Sequence, residues 1–384
     1  MTMRVLICDL VGLAFDATGQ PDPSEVKAHI EARGGVFHLG GEPTATPDKL
    51  NFYYLPDIST RREILALTGE GQFDAVIAAA TFIPPEAQFK QGGVRIGAGT
   101  GNMGSASWGG PNGVGGQAPL MNTPGFNARA TAQMTIKALL HFRPDLPFAA
   151  LHTRVIKGQF DTGKNLREFP TAKLEGQTFA VLGYGNIGRE VAKLAAAFGM
   201  KVKVFARAHH QARIVADGFA PYSFALDAAR GADVISVHTG LGALDAATER
   251  YANAGLITTD ILAALNHRAT VLNFDRGECV DAAALDVAMA SGHIAHAAID
   301  SDIFRGADGK MSGPMVPYLP LAAKYGARIL LLPHAAADTD HPSRVAGAKQ
   351  AVDQIFDAVL QKRVVNLKGD LPAGYTNGGA KLGV

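Results

Sequence analysis

The chain has 384 residues, long for a single hydrophobic core, so two domains are the default expectation. Its 36 basic and 35 acidic residues give a formal net charge of +1 with no long run of either sign, which argues against nucleic acid or an anionic membrane as a partner. Hydrophobic residues make up 47% and charged residues 18%, a balance that suits buried parallel sheet rather than disorder.

From the N-terminus, strand-like runs at Arg4 to Cys8, Val36 to Leu39, Ala75 to Ala79 and Val94 to Ala98 alternate with helix-like stretches at Ser24 to Arg33 and Thr60 to Leu67. Such alternation predicts a parallel α/β domain. Gly104 to Gly116 holds six glycines in thirteen positions around the only tryptophan, Trp108, and reads as a flexible surface loop, with a substrate lid as the other reading. Asn122-Thr-Pro-Gly-Phe-Asn then introduces a helix from Ala128 to His141 that crosses into a second domain. Strands follow at Val234 to Val237, Thr270 to Asn273, Ala295 to Ile299 and Arg328 to Leu332, and helical spacing returns at Ser343 to Leu360. This divides the chain into one domain of residues 1–121 plus 342–384 and another of residues 122–341. The Gly- and Lys-containing tail after Lys368 reads as loosely packed or disordered.

The segment QTFAVLGYGNIGREVAKLAAAFGMKVKVFAR, Gln177 to Arg207, carries the strongest motif. An apolar strand runs into Gly183-x-Gly185-x-x-Gly188 and straight into an Ala-rich helix, with a second strand at Lys201 to Phe205. The first glycine allows a tight turn and the second lets backbone approach a pyrophosphate. The third lets helix and strand pack closely, leaving the helix N-terminus to hold phosphates. NAD binders normally place an acid at the end of the second strand to take the ribose hydroxyls. Here the position reads Ala206-Arg207, with His209 and His210 beside it. A guanidinium binds a 2′-phosphate that an acid would repel, so the expected cofactor is NADP, with NAD as the alternative.

Three further segments sit at the C-terminal ends of expected strands, where ligands of open α/β sheets collect. They are Asn273 to Asp281, Ala297 to Asp302, and Leu332-Pro333-His334-Ala335. An arginine there, Arg276, can pin a carboxylate and polarise an adjacent carbonyl, and a histidine, His334, can exchange a proton with a hydroxyl. The two cysteines, Cys8 and Cys279, imply no disulfide framework and fit a reducing compartment. No stretch has the roughly 18 consecutive apolar residues of a membrane span, and no signal peptide is recognisable, so a soluble, cytoplasmic protein is expected. The 12 histidines form no cluster with metal-ligand spacing, so no metal is expected.

The chain resembles the D-isomer-specific 2-hydroxyacid dehydrogenases. The likeness runs through Gly99-Thr100-Gly101, Asn122-Thr-Pro-Gly125, Gly183-Tyr-Gly-Asn-Ile-Gly188, Ala232-Asp-Val-Ile-Ser-Val-His238, Asn273 to Asp281, Ser291 to Asp300 and Pro333-His334. The resemblance implies two parallel-sheet α/β domains, a Rossmann dinucleotide-binding domain inserted in a flavodoxin-like substrate domain, and a homodimer formed through the Ala128 to His141 helix. It gives Arg276 the substrate carboxylate, assisted by the backbone amides of Thr100 and Gly101, and makes His334 the acid/base. Asp300 would hold the nicotinamide carboxamide, and Gly185, Asn186 and Ile187 the pyrophosphate. The family's glutamate, five residues after the aspartate equivalent to Asp300, is replaced by Arg305. Asp302 is then the first candidate partner for His334, and Asp308 the second. Phosphoglycerate-type relatives carry a basic residue in the loop that here reads Ala80-Thr81-Phe82-Ile83-Pro84-Pro85. A small, non-phosphorylated 2-oxo or 2-hydroxy acid is therefore expected, with Thr81 and Phe82 lining its pocket. The lost glutamate and the Phe274-Asp275 pair before Arg276 leave two alternatives open: a dehydrogenase for a formate-like or phosphite-like donor, and a catalytically silent nucleotide sensor.

Overall fold

The computed structural model describes the whole chain except residues 1, 11–12, 41–43, 57, 59, 144–146, 172, 243, 246, 249, 307–308 and 381–384. It divides into two compact units, Met1–Asn127 with Ala337–Val384, and Ala128–Ala336.

The first unit is built on β1 (Met3–Ile7), β2 (Val36–Leu39), β3 (Leu50–Tyr54), β4 (Ala75–Ala78), β5 (Gly92–Arg95) and β6 (Leu120–Asn122). They run parallel in the order β6-β5-β4-β1-β3-β2, and the short strand Leu367–Lys368 adds antiparallel to β6. Both faces of the sheet are covered, so the central strands are apolar throughout: Val5, Leu6 and Ile7 of β1 are all fully buried. The helix His341–Leu360 covers one face with Val345, Ala348, Val352, Ile355 and Phe356. Its N-terminus is closed by Asp340, whose carboxylate accepts from the Ser343 amide at 3.0 Å.

The sequence reading does not include β3. Its run Leu-Asn-Phe-Tyr-Tyr is wholly buried and shows no alternation, and its polar Asn51 sits in the interior. Asn51 is satisfied there by the carbonyls of Thr46 and Lys49, each at 3.0 Å, and by His38.

Two further expectations are corrected. The glycine-rich segment is not a loose surface loop: Trp108 is fully buried, donates to the Met103 carbonyl at 2.9 Å and stacks on Phe89 at 5.6 Å. The start of the tail after Lys368 is tied to the same segment, since Asp370 donates its amide to Gly113 at 2.8 Å and accepts from Gly115 at 3.1 Å, while residues 381–384 of that tail lie outside the described residues. Sequence composition suggested mobility, but close backbone contacts around one indole decided otherwise.

The second unit carries β7 (Thr178–Leu182), β8 (Lys201–Phe205), β9 (Ala220–Tyr222), β10 (Val234–Val237), β11 (Ala269–Asn273), β12 (Ile294–Asp300) and β13 (Ile329–Leu332). All are parallel, in the order β13-β12-β11-β10-β7-β8-β9. The chain winds outward from β7 and returns at β10, so the order reverses between these two strands, the place where a doubly wound Rossmann sheet opens a crevice for ligands. The helices Ala128–His141 and Asn186–Ala197 pack together on one face over Phe179, Val181 and Val204. Among the described residues no helix is long and apolar enough to cross a membrane.

Candidate functional site

The turn after β7 is shaped by two backbone contacts that leave no room for a side chain. Gly183 has φ +99°, and a Cβ there would lie 2.2 Å from the His238 carbonyl oxygen; a Cβ on Gly188 would lie 2.0 Å from the Gly183 carbonyl oxygen. Gly185 differs, because its Cβ would meet nothing within 4 Å. It precedes the helix Asn186–Ala197, which no side chain caps. The first amides of that helix therefore open onto free space, with the positive end of the helix dipole behind them.

That space is a cavity of about 390 Å³ at the C-terminal ends of β7, β8 and β10, lined by Gly183 to Gly185, Phe205, Ala206, Arg207, His210, His238, Thr239 and Asn253, among others. Among the described residues its wall includes no aspartate or glutamate. Arg207 is exposed and has no acidic partner among the described residues. His209, expected beside Arg207 at the cofactor, is not on the cavity wall; His210 is, with the two imidazoles 4.0 Å apart. Burial first, and then the charges of His209, Arg207 and Arg213, hold the His210 imidazole below its ordinary pKa. His238 is pushed down to about 3 by burial, and its Nδ1 has no hydrogen-bond partner. A helix terminus without a cap, an open cradle at Gly185 and an orphaned buried ring nitrogen all fit a dinucleotide.

The cavity floor is braced from outside. Arg189 grips Asp217 with two hydrogen bonds of 2.6 and 2.7 Å, and the Tyr184 hydroxyl donates to the same carboxylate at 2.7 Å. These contacts, the Arg189 pair above all, hold the Asp217 carboxyl far below the usual carboxylate range. A depressed pKa means stability that is present above the unfolded-state value and lost as pH falls through the folded one. Asp217→Asn is expected to cost about 1–3 kcal/mol at neutral pH, with the gap to wild type closing in acid below about pH 4. Urea denaturation across pH reads this; equal stability at pH 7 would refute it.

The second cluster stands at the ends of β11, β12 and β13. Buried Asn273 shapes the turn after β11: its Nδ2 donates to the Arg276 carbonyl at 2.8 Å and its Oδ1 accepts from the Asp275 amide at 3.3 Å. Gly277 then packs so closely that a Cβ would lie 2.4 Å from Ser301 Oγ. The Tyr318 hydroxyl donates to the Gly277 and Val280 carbonyls from beneath. Arg276 Nη1 lies 3.4 Å from Asp302 Oδ2, so the structure pairs Asp302 with Arg276, whereas the sequence reading expects it beside His334. No carboxylate hydrogen bonds to His334 among the described residues; Asp308 lies outside them, and Arg305 is exposed.

His334 follows β13 with φ +54°, a left-handed conformation uncommon for residues other than glycine. Its Nδ1 is buried with no hydrogen-bond partner. The backbone after it is clamped by Asp300, whose carboxylate accepts from the Ala335 amide at 2.7 Å and the Ala336 amide at 3.3 Å. Asp300, assigned by the resemblance to the nicotinamide carboxamide, thus also positions the His334 turn. Asp275 is the residue the sequence reading did not select. It sits half-buried at this edge and accepts from the Gly240 amide after β10, and burial holds its carboxyl above the usual range. The signal was present as an acid between Phe274 and Arg276, at a position where burial is costly for a charge.

In the first unit, Thr81 donates its amide to Asp9 at 2.9 Å, and Asp9 also accepts from Ala80 at 2.6 Å and from Ala79. The Thr81 amide is therefore already engaged. Thr100 donates its hydroxyl to the Pro111 carbonyl at 2.8 Å, and Gly101 is exposed. Phe82 is 50% exposed and is not core packing.

Comparison with known proteins agrees with this architecture. Residues 147–336 match the family described as D-isomer specific 2-hydroxyacid dehydrogenase, NAD binding domain. A glyoxylate reductase of Aeropyrum pernix is 30% identical over 258 residues, which span 65% of this chain and 68% of that protein. A D-3-phosphoglycerate dehydrogenase of Bacillus subtilis is 29% identical over 181 residues, 47% of this chain and 32% of the relative, so the chain spans only about a third of that relative's length. Among solved structures, an acyclic imino acid reductase in complex with NADPH and D-Arg matches with a TM-score of 0.64 at 18% identity, over 95% of this chain and 99% of that one, a likeness of fold. The chain belongs to the D-isomer-specific 2-hydroxyacid dehydrogenase family.

Proposed function

We propose that the protein is a nicotinamide-dependent oxidoreductase that reduces a small, non-phosphorylated 2-oxo acid to its 2-hydroxy acid, with NADPH preferred over NADH. The observation that carries the reading is the cavity at the glycine turn, whose wall holds Arg207 and His210 and, among the described residues, no carboxylate. The amides of Gly185, Asn186 and Ile187 would hold the pyrophosphate at the uncapped helix terminus, and Arg207 with His210 the 2′-phosphate. Bound there, the dinucleotide supplies a hydride. Arg276 pairs with the substrate carboxylate and draws electron density from the neighbouring carbonyl. His334 gives a proton to the carbonyl oxygen as charge develops on it, so one hydride and one proton convert the oxo acid to the hydroxy acid. The Asp300 clamp keeps the His334 turn in place. Thr81, Thr100 and Gly101 are the first-unit residues we assign to the substrate, and the absence of a cation in residues 80–85 supports a substrate without phosphate. By family likeness we assign a homodimer.

The test is initial-rate reduction of glyoxylate, hydroxypyruvate and pyruvate with NADPH and with NADH. Arg207→Ala is expected to raise the KM for NADPH about tenfold, the worth of one charge-assisted contact, and to leave the KM for NADH in place. An unchanged NADPH KM would remove the phosphate assignment; absence of turnover with every acid would remove the reductase assignment.

A further inference from the structure

The two phosphate-binding ends assigned to the dinucleotide cavity lie on different pieces of chain. The pyrophosphate end is the glycine turn with the first turn of the helix Asn186–Ala197. The 2′-phosphate end is Arg207 and His210, in the connection from β8 to the helix Gln211–Ala216. At the near end of that connection the Gly183 amide donates to the Phe205 carbonyl at 2.7 Å, which ties the turn to β8. Apolar packing holds the far end less well. The helix Gln211–Ala216 has six residues, buries one side chain, Ile214, and leads into β9, a three-residue strand at the edge of the sheet. So short a helix has little stability of its own.

Asp217 supplies what packing does not. It follows that helix directly and donates its amide to the Arg213 carbonyl at 2.9 Å. Its carboxylate accepts from Arg189 Nε at 2.6 Å, from Arg189 Nη2 at 2.7 Å and from the Tyr184 hydroxyl at 2.7 Å. Tyr184 stands between Gly183 and Gly185 and lines the cavity, and Arg189 donates its amide to the Gly185 carbonyl at 3.1 Å. From the C-terminus of the segment that carries Arg207 and His210, the carboxylate thus grips the chain on both sides of Gly185. The Arg189 and Asp217 side chains are only 29% and 15% exposed. Their pair is bidentate and mostly shielded from water, so it fixes direction as well as distance, unlike a solvated surface pair.

We infer that Asp217 is a positioning residue for cofactor choice: by locking the end of the Arg207–His210 segment to Tyr184 and Arg189, it sets the separation of the two phosphate-binding ends. A dinucleotide with a 2′-phosphate engages both ends at once and needs that separation. One without it engages the pyrophosphate end alone. Loosening the lock therefore weakens NADPH more than NADH, because a loosened contact must be reordered when the ligand binds. The inference rests on the NADPH-preferring reading of this cavity and adds the residue that maintains the preference.

Dissociation constants for NADPH and NADH are to be measured without substrate, from the fluorescence of the bound nicotinamide, for wild type, Asp217→Asn and Tyr184→Phe. Each protein is titrated at a temperature where thermal denaturation shows it folded. In wild type NADPH should bind about tenfold more tightly than NADH, the worth of one charge-assisted contact. In Asp217→Asn the ratio should fall to within about twofold of one, through weaker NADPH binding with NADH affinity retained. Tyr184→Phe keeps the Arg189 pair and loses one hydrogen bond, so its ratio should fall about threefold. Asp217→Asn decides the question where it folds, and Tyr184→Phe where it does not. A wild-type ratio in the deciding variant, whether both affinities hold or both fall together, overturns the inference and leaves the NADPH-preferring reading in place. A ratio near one in wild type overturns that reading and the inference with it.

Discussion

Replacing His334 by glycine is expected to lower kcat for 2-oxo acid reduction by roughly 10²–10⁴-fold, the usual contribution of a positioned acid/base, with little loss of stability. The two effects separate because of the backbone. His334 has φ +54°, a conformation that costs an L residue about 1–2 kcal/mol and glycine almost nothing. Relief of that strain offsets the greater entropy of glycine in the unfolded chain and the lost imidazole contacts, leaving the folded state within about 1 kcal/mol of wild type. The Asp300 clamp on Ala335 and Ala336 uses backbone amides, so it survives the substitution. Affinity for NADPH should also survive, because His334 is not on the wall of the dinucleotide cavity. Steady-state kinetics, thermal denaturation and cofactor titration on one preparation read all three. A kcat within threefold of wild type would remove His334 as the proton donor.

The second large effect concerns the glycine turn, where neighbouring glycines should respond in opposite ways. Gly183→Val should unfold the second unit or destabilise it by on the order of 3 kcal/mol or more, combining left-handed strain with a clash in a close-packed region. The clash at 2.2 Å is with the His238 carbonyl, whose position is fixed because the His238 amide is itself bonded to Leu182 at 2.7 Å. Gly185→Ala should fold normally, since φ is −76° and the new methyl meets no protein atom within 4 Å. That methyl points into the space assigned to the pyrophosphate, so NADPH affinity should fall about tenfold, a loss of about 1.4 kcal/mol. A Gly183→Val protein with wild-type thermal stability, or a Gly185→Ala protein with wild-type NADPH affinity, would contradict the account of the turn.

Much of the site was legible in sequence because it depends on short-range patterns. Gly183, Gly185 and Gly188 sit between an apolar run and an Ala-rich stretch, a strand-turn-helix order, and Arg276 and His334 each come just after an apolar run that forms a strand. Side-chain pairing was not legible. Asp302 is two residues from Asp300, which suggested a shared direction, but the chain leaves the strand after Asp300 and carries the carboxylate to Arg276, 26 residues earlier. His209 and His210 are equivalent in sequence, and only the short 3₁₀ turn Ala208–His210 decides which imidazole reaches the cavity. β3 differs from the equally buried β4 in carrying a polar residue, Asn51, inside its run, so it does not read as an apolar strand.

By itself, the sequence determined the α/β class, the glycine turn that opens the helix after β7 and the basic residue after β8, because each is a property of consecutive residues and their backbone preferences. The tertiary structure alone decided that Trp108 anchors the glycine-rich segment, that Asp300 clamps the turn carrying His334, and that Asp275 reaches the Gly240 amide. Those relations join residues that lie on different elements, 35 positions apart for Asp300 with Ala335 and for Asp275 with Gly240, and burial and charge act through space, so no local pattern encodes them.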